Sequence, residues 1–178
     1  MIPLLTLESN TGGNLAISNA KFWLQDCEEN HPECKSLGSW FPKRVLDVGT
    51  QGNPRLRLYL HEHSRNNPPY ATLSHCWGKT RTLRLLKSNL LEMIRGISPA
   101  ELPRTFQDAV TCARHLGFQY LWVDSLCIIQ DSHEDWLEQS SEMSNVYSYS
   151  SCNIVCTHNH LPRISHKLWL LLCSSSSS

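Results

Sequence analysis

Two short stretches hold most of the side chains with chemistry to offer. The first, Ser74-His75-Cys76-Trp77-Gly78, sets a hydroxyl, an imidazole, a thiol and an indole in a row and closes on a residue that lets the backbone turn tightly. The second, Asp124-Ser125 with Gln130 and Asp131 just beyond, follows about fifty residues later. Brought together, the two make a polar ligand pocket lined by Ser74, His75, Gly78, Asp124 and Ser125 and roofed by Trp77. The blander alternative uses the same residues: Trp77 packs the core, Asp131 caps a helix and the Ser74 hydroxyl bonds backbone.

A thiolate activated by an imidazole would need Cys76 or Cys127 beside His75. Neighbouring side chains on a strand point to opposite faces, so His75 is badly placed to serve Cys76. Cys127 lies in an apolar run, where a thiol is usually inert. For metals, Cys27, His31 and Cys34 near the start and Cys152, Cys156, His158 and His160 near the end lack the paired short spacings of a structural zinc site, so no metal is expected. Asp124 is the carboxylate most in need of a partner, because its neighbours are apolar and an unpaired buried charge is costly. Arg104 or Arg114 upstream is the expected counter-ion.

The elements that must position these residues follow from periodicity. RLRLYL at 55–60 alternates with leucine on one face, as a half-buried strand does. YATLSHC at 70–76 is a second short strand, ending in the Ser-His-Cys-Trp turn. Leu83, Leu86, Leu90 and Ile94 share a helical face that Gly96 closes. After Pro103, Phe106, Ala109, Val110, Ala113 and Leu116 recur at helical steps until Gly117. YLWVDSLCII at 120–129 is predicted to be one strand covered on both faces. Ser132 offers an N-cap to a third helix running to about Tyr147, with Trp136, Met143, Val146 and Tyr147 as its apolar stripe. SCNIVCT at 151–157 is a last buried strand. A helix feeding a buried strand, twice over, means an α/β fold with a parallel sheet flanked by helices.

Composition narrows the function classes. Sixteen lysines and arginines balance sixteen aspartates and glutamates, so no global field attracts nucleic acid or an anionic membrane. The apolar runs are too short to span a bilayer, and MIPLLTLESN has no basic stretch before a long apolar core; a cytoplasmic protein with its eight cysteines reduced is expected. Residues 1–54 are taken as an N-terminal extension in which Ala20 to Cys27 is helical, 55–157 as the domain, and 158–178 as an aberrant or disordered tail without a consistent period. That ending would leave the sheet incomplete at the C-terminus, as in a truncated or non-functional copy.

Three blocks in order, YATLSHCWG (70–78), LPRTFQDAVTCARHLGFQYLWVDSLCIIQD (102–131) and DWLEQSSEMSNVY (135–147), resemble the heterokaryon incompatibility (HET) domain. FPKRVLDV (41–48) and RLRLYL are similar to what precedes that domain. The resemblance implies a fold similar to the TIR (Toll/interleukin receptor) domain, with a flavodoxin-like parallel sheet. It also implies an effector or interaction module of fungal self/non-self recognition and regulated cell death. Its partners would be other incompatibility or cell-death proteins, or further copies of itself. Some TIR-like enzymes cleave NAD with a glutamate in the third helix. Here Gln139 stands where family members often carry glutamate, with Glu138 one position earlier, and Asp131 and Glu138 are the catalytic candidates that this second reading would use, NAD being substrate and no cofactor being required.

Overall fold

A computed structural model describes residues 14–30, 40–62, 67–75, 83–157 and 167–171. In chain order the elements are α1 (Asn14–Asn30), β1 (Arg44–Gly49), β2 (Pro54–Leu60), β3 (Tyr70–His75), α2 (Leu90–Arg95), α3 (Arg104–Leu116), β4 (Tyr120–Val123), α4 (Asp124–Cys127), α5 (His133–Ser141), α6 (Met143–Ser148), β5 (Cys152–Thr157) and β6 (Lys167–Leu171), with a 3-10 turn at Pro99–Glu101 between α2 and α3. The strands form one sheet in the order β2-β1-β4-β3-β5-β6. Its centre is parallel: β3 runs alongside β4 with Leu73 opposite Val123, and alongside β5 with Leu73 opposite Ile154. On the flanks, β1 is antiparallel to both β2 and β4, and β6 is antiparallel to β5. The fold is α/β, with parallel pairs at the heart of a mixed sheet and helices against it.

Alternation along the strands sends side chains into two separate cores. Leu46, Val48, Leu58, Leu73, Leu121 and Val123 meet the buried face of α3. That helix follows Pro103 and ends at Gly117 in the left-handed conformation (φ 93°), as its sequence predicts. On the other face Val45, Tyr70 and Trp122 meet Ile128 and Val146. The Tyr70 hydroxyl donates to the Val146 carbonyl at 2.7 Å, and Tyr147 stands edge-on to Trp122.

Four elements differ from their sequence expectation. The helix expected from Leu83 to Ile94 is confined to Leu90–Arg95. Leu85 is instead held by its backbone across the chain, donating to the Ser125 carbonyl and accepting from Gln130 N–H, both at 2.9 Å. The strand expected over 120–129 stops at Val123, because the Asp124 carboxylate takes the Ser125 N–H at 2.6 Å and the Asp124 carbonyl takes the Ile128 N–H. A polar side chain that bonds its own backbone competes with the strand ladder in this way. The third helix is divided at Glu142 into α5 and α6. Finally, Lys167–Leu171, in the tail expected to be aberrant, pairs with β5 as a strand; five residues are too few to show a period.

Candidate functional site

The parallel pairing of β3 with β4 sends the carboxyl ends of both strands to one edge of the sheet, where β5 ends as well. Such edges are where open α/β sheets bind ligands, because loops and helix starts converge there. Ser74 and His75 close β3, and Asp124 and Ser125 follow β4. His75 Nδ1 lies 3.7 Å from Asp124 Oδ1, beyond direct hydrogen-bond length but within ion-pair range. The imidazole stands edge-on to Phe106 with ring centroids 4.8 Å apart. Burial holds the His75 pKa below the ordinary histidine value and outweighs the opposing pull of the Asp124 charge, so the ring is neutral at pH 7. Ser125 is buried, and its hydroxyl makes no hydrogen bond among the described residues.

Four of the residues singled out in the sequence, Ser74, His75, Asp124 and Ser125, therefore share this edge. Trp77 and Gly78, with Cys76, lie outside the described residues. Asp131 is exposed, and its carboxylate accepts the Lys87 N–H at 2.9 Å. Glu138 grips the Lys43 ammonium at 2.7 Å, just before β1, and β1 lies on the far side of β4 from His75.

The arginines expected to answer Asp124 do other work. Arg104 pairs with Asp108 one helical turn on, and Arg114 donates to the Val48 and Arg55 carbonyls at 2.7 and 3.1 Å. His75 takes their place beside Asp124. Cys127 is fully buried, its thiol pushed up to about 12 by desolvation, which leaves no thiolate to act as nucleophile. No cluster of three metal-ligating side chains occurs among the described residues; His31, Cys34, His158 and His160 are not among them.

The strongest polar arrangement near this edge was missed in the sequence. Arg44, at the start of β1, is buried and donates through Nη2 to both carboxylate oxygens of Asp135 on α5, at 2.7 and 2.5 Å, and through Nε to the Cys127 carbonyl at 2.6 Å. Asp135 also accepts the Ile129 N–H at 2.8 Å. The helix is thereby turned so that Asp135 and Gln139 face inward, while Trp136, expected on the apolar stripe, is 50% exposed beside Leu137 at 51%. An arginine heading the mostly apolar strand RVLDVG was the available signal, since burying it demands a carboxylate. The Ser132 hydroxyl caps α5 by accepting from Asp135 N, as its position suggested.

The sequence profile of the heterokaryon incompatibility protein family matches residues 70–168, more than half the chain. The chain belongs to the HET family. It is 33% identical over 91 residues to heterokaryon incompatibility protein 6, OR allele, of Neurospora crassa. That similarity covers 46% of this chain and 13% of the relative, so the chain spans only a small part of that protein's length. No solved structure matches it. The matched HET segment begins at the first residue of β3 and extends into β6; it contains the whole parallel centre of the sheet and the His75–Asp124 edge, while β1 and β2 precede it. Among the described residues, no helix of this HET chain is long and apolar enough to cross a membrane.

Proposed function

We propose that this HET chain is an effector module of fungal self/non-self recognition, tied to regulated cell death and acting by assembly with other incompatibility or cell-death proteins. One observation carries this reading beyond family membership. Helix α5 buries its polar residues Asp135 and Gln139 and turns Trp136 and Leu137 outward. Large apolar side chains held at the surface by a buried ion pair favour a partner more than solvent. A TIR-like NAD(+) nucleosidase has less support, because Glu138 is engaged by Lys43 and Asp131 by a backbone N–H.

The test is expression of the full chain in hyphae of a compatible fungal strain, scored by vital-dye uptake. The wild type should kill, and Trp136→Ser with Leu137→Ser should abolish killing while circular dichroism and solubility stay normal. Killing unchanged by the double substitution would refute the surface-driven reading. Turnover of NAD(+) by the purified protein, lost in Glu138→Ala or Asp131→Ala, would replace it with the enzymatic one.

A further inference from the structure

The formal charge of zero conceals a separation of charge along the chain. From Lys43 to Arg104 eleven lysines and arginines stand against four acids, Asp47, Glu62, Glu92 and Glu101. Between Arg114 and Arg163 there is no lysine or arginine, and six acids occur: Asp124, Asp131, Glu134, Asp135, Glu138 and Glu142. Folding carries this asymmetry to two surfaces.

The acidic one is α5, where exposed Glu134 and Glu138 flank Trp136 and Leu137 and Lys43, paired with Glu138, is the base among them. The basic one is the β2 edge of the sheet, where β2 is the outermost strand and α2 packs against it. Arg55, Arg57 and Arg95 are exposed there with Leu60 and Leu91, and Glu92 is the acid among them. Asp47, buried beneath, holds the first two guanidiniums through Oδ2 at 2.8 and 3.3 Å. The backbone of β2 is partly engaged, since the Leu56 carbonyl accepts the Ile97 N–H at 2.8 Å. A partner at this edge therefore meets side chains rather than a free strand ladder.

We infer that the acidic α5 surface of one copy docks on the basic β2–α2 edge of a second copy. Each surface pairs two exposed apolar side chains with charges of one predominant sign, and the signs are opposite, so one surface complements the other and repels its own kind. The contact is heterologous: a pair keeps one free surface of each type, one on each copy, and the assembly either grows or closes into a ring. The inference rests on the assembly reading above and names its partner.

Sedimentation velocity on the full chain tests it. In about 0.1 M salt, where screening acts over about 10 Å, the average mass should rise with concentration; in about 1 M salt, where it acts over about 3 Å, association should weaken at least about tenfold. Two variants each remove one surface without touching the Asp47 cluster: Glu134→Lys with Trp136→Ala on α5, and Leu91→Ala with Arg95→Glu on α2. Each alone, with native circular dichroism, should be monomeric. Mixed in equal amounts they should form a one-to-one dimer that grows no further, because each contributes the surface it retains. A wild type that stays monomeric at every concentration and salt, variants that associate like the wild type, or a mixture that remains monomeric would overturn the contact. A monomeric chain that still kills hyphae would overturn it and leave the effector reading standing.

Discussion

Asp135→Asn keeps the shape of the side chain and removes the charge that faces Arg44, which isolates the contribution of the ion pair. The side chains of Arg44 and Asp135 are 5% and 9% exposed, so solvent screens little of their interaction. Asp135 accepts two hydrogen bonds from one guanidinium nitrogen and one from the Ile129 backbone. Breaking a buried pair by neutralising one partner typically costs 3–5 kcal/mol, because the remaining charge is left in a poor solvent; a value of about 4 kcal/mol applies here. At 1.4 kcal/mol per factor of ten, that lowers the folding equilibrium constant by roughly a thousandfold. For a chain of this size the melting temperature should fall by about 8–16 °C. The assay is urea unfolding followed by tryptophan fluorescence, run as a cycle with Arg44→Met and the double substitution. The double variant should recover much of the loss, because two apolar side chains no longer strand a charge. A cost below about 1 kcal/mol for Asp135→Asn, or a double variant whose loss equals the sum of the singles, would refute the claim that this pair sets the orientation of α5.

Further outcomes follow from individual sites. Gly49 has φ +69°, and a Cβ there would lie 2.4 Å from the Asn53 carbonyl and 2.7 Å from Arg55 N; Gly49→Ala should destabilise by about 2 kcal/mol or more, whereas Gly117→Ala, equally left-handed but with open space around it, should cost about 1 kcal/mol in the same unfolding assay. His75 has a folded pKa below the ordinary 6.5, so the unfolded chain binds the extra proton first and stability should fall as pH drops below that value; His75→Gln should flatten this part of a melting-temperature profile, and an unchanged slope would dismiss the buried neutral imidazole. Cys127, with its thiol pushed up to about 12, should resist alkylation at pH 8 in the native protein and react on unfolding, as peptide mass mapping would show.

Much of the candidate site was legible because parallel α/β folds deliver strand ends to one edge. Once YATLSH and YLWV were recognised as strands joined through a helix, Ser74 and Asp124 had to converge, and Leu73 opposite Val123 is that convergence. Helix α3 was equally legible: its apolar residues, Pro103 before it and Gly117 after it all point to the same element. The neighbours of these groups were less so. Asp124 was matched with the wrong cations because Arg104 and Arg114 are near it in sequence, while His75, its actual neighbour, lies 49 positions away on the adjoining strand.

What the sequence determined by itself is therefore local and periodic: which segments are strands or helices, which faces are apolar, and that the polar residues sit at strand ends. Tertiary structure decided everything that depends on partners far apart in the chain. It shortened the helix over Leu83 to Ile94 through hydrogen bonds to Ser125 and Gln130, and it ran β1 antiparallel beside β4. It also rotated α5 until Asp135 met Arg44, 91 residues away, leaving Trp136 outside. The physical reason is that hydrophobic periodicity says how much a face gains by burial, whereas a buried charge must be satisfied by one specific group, and only the folded chain brings that group within reach.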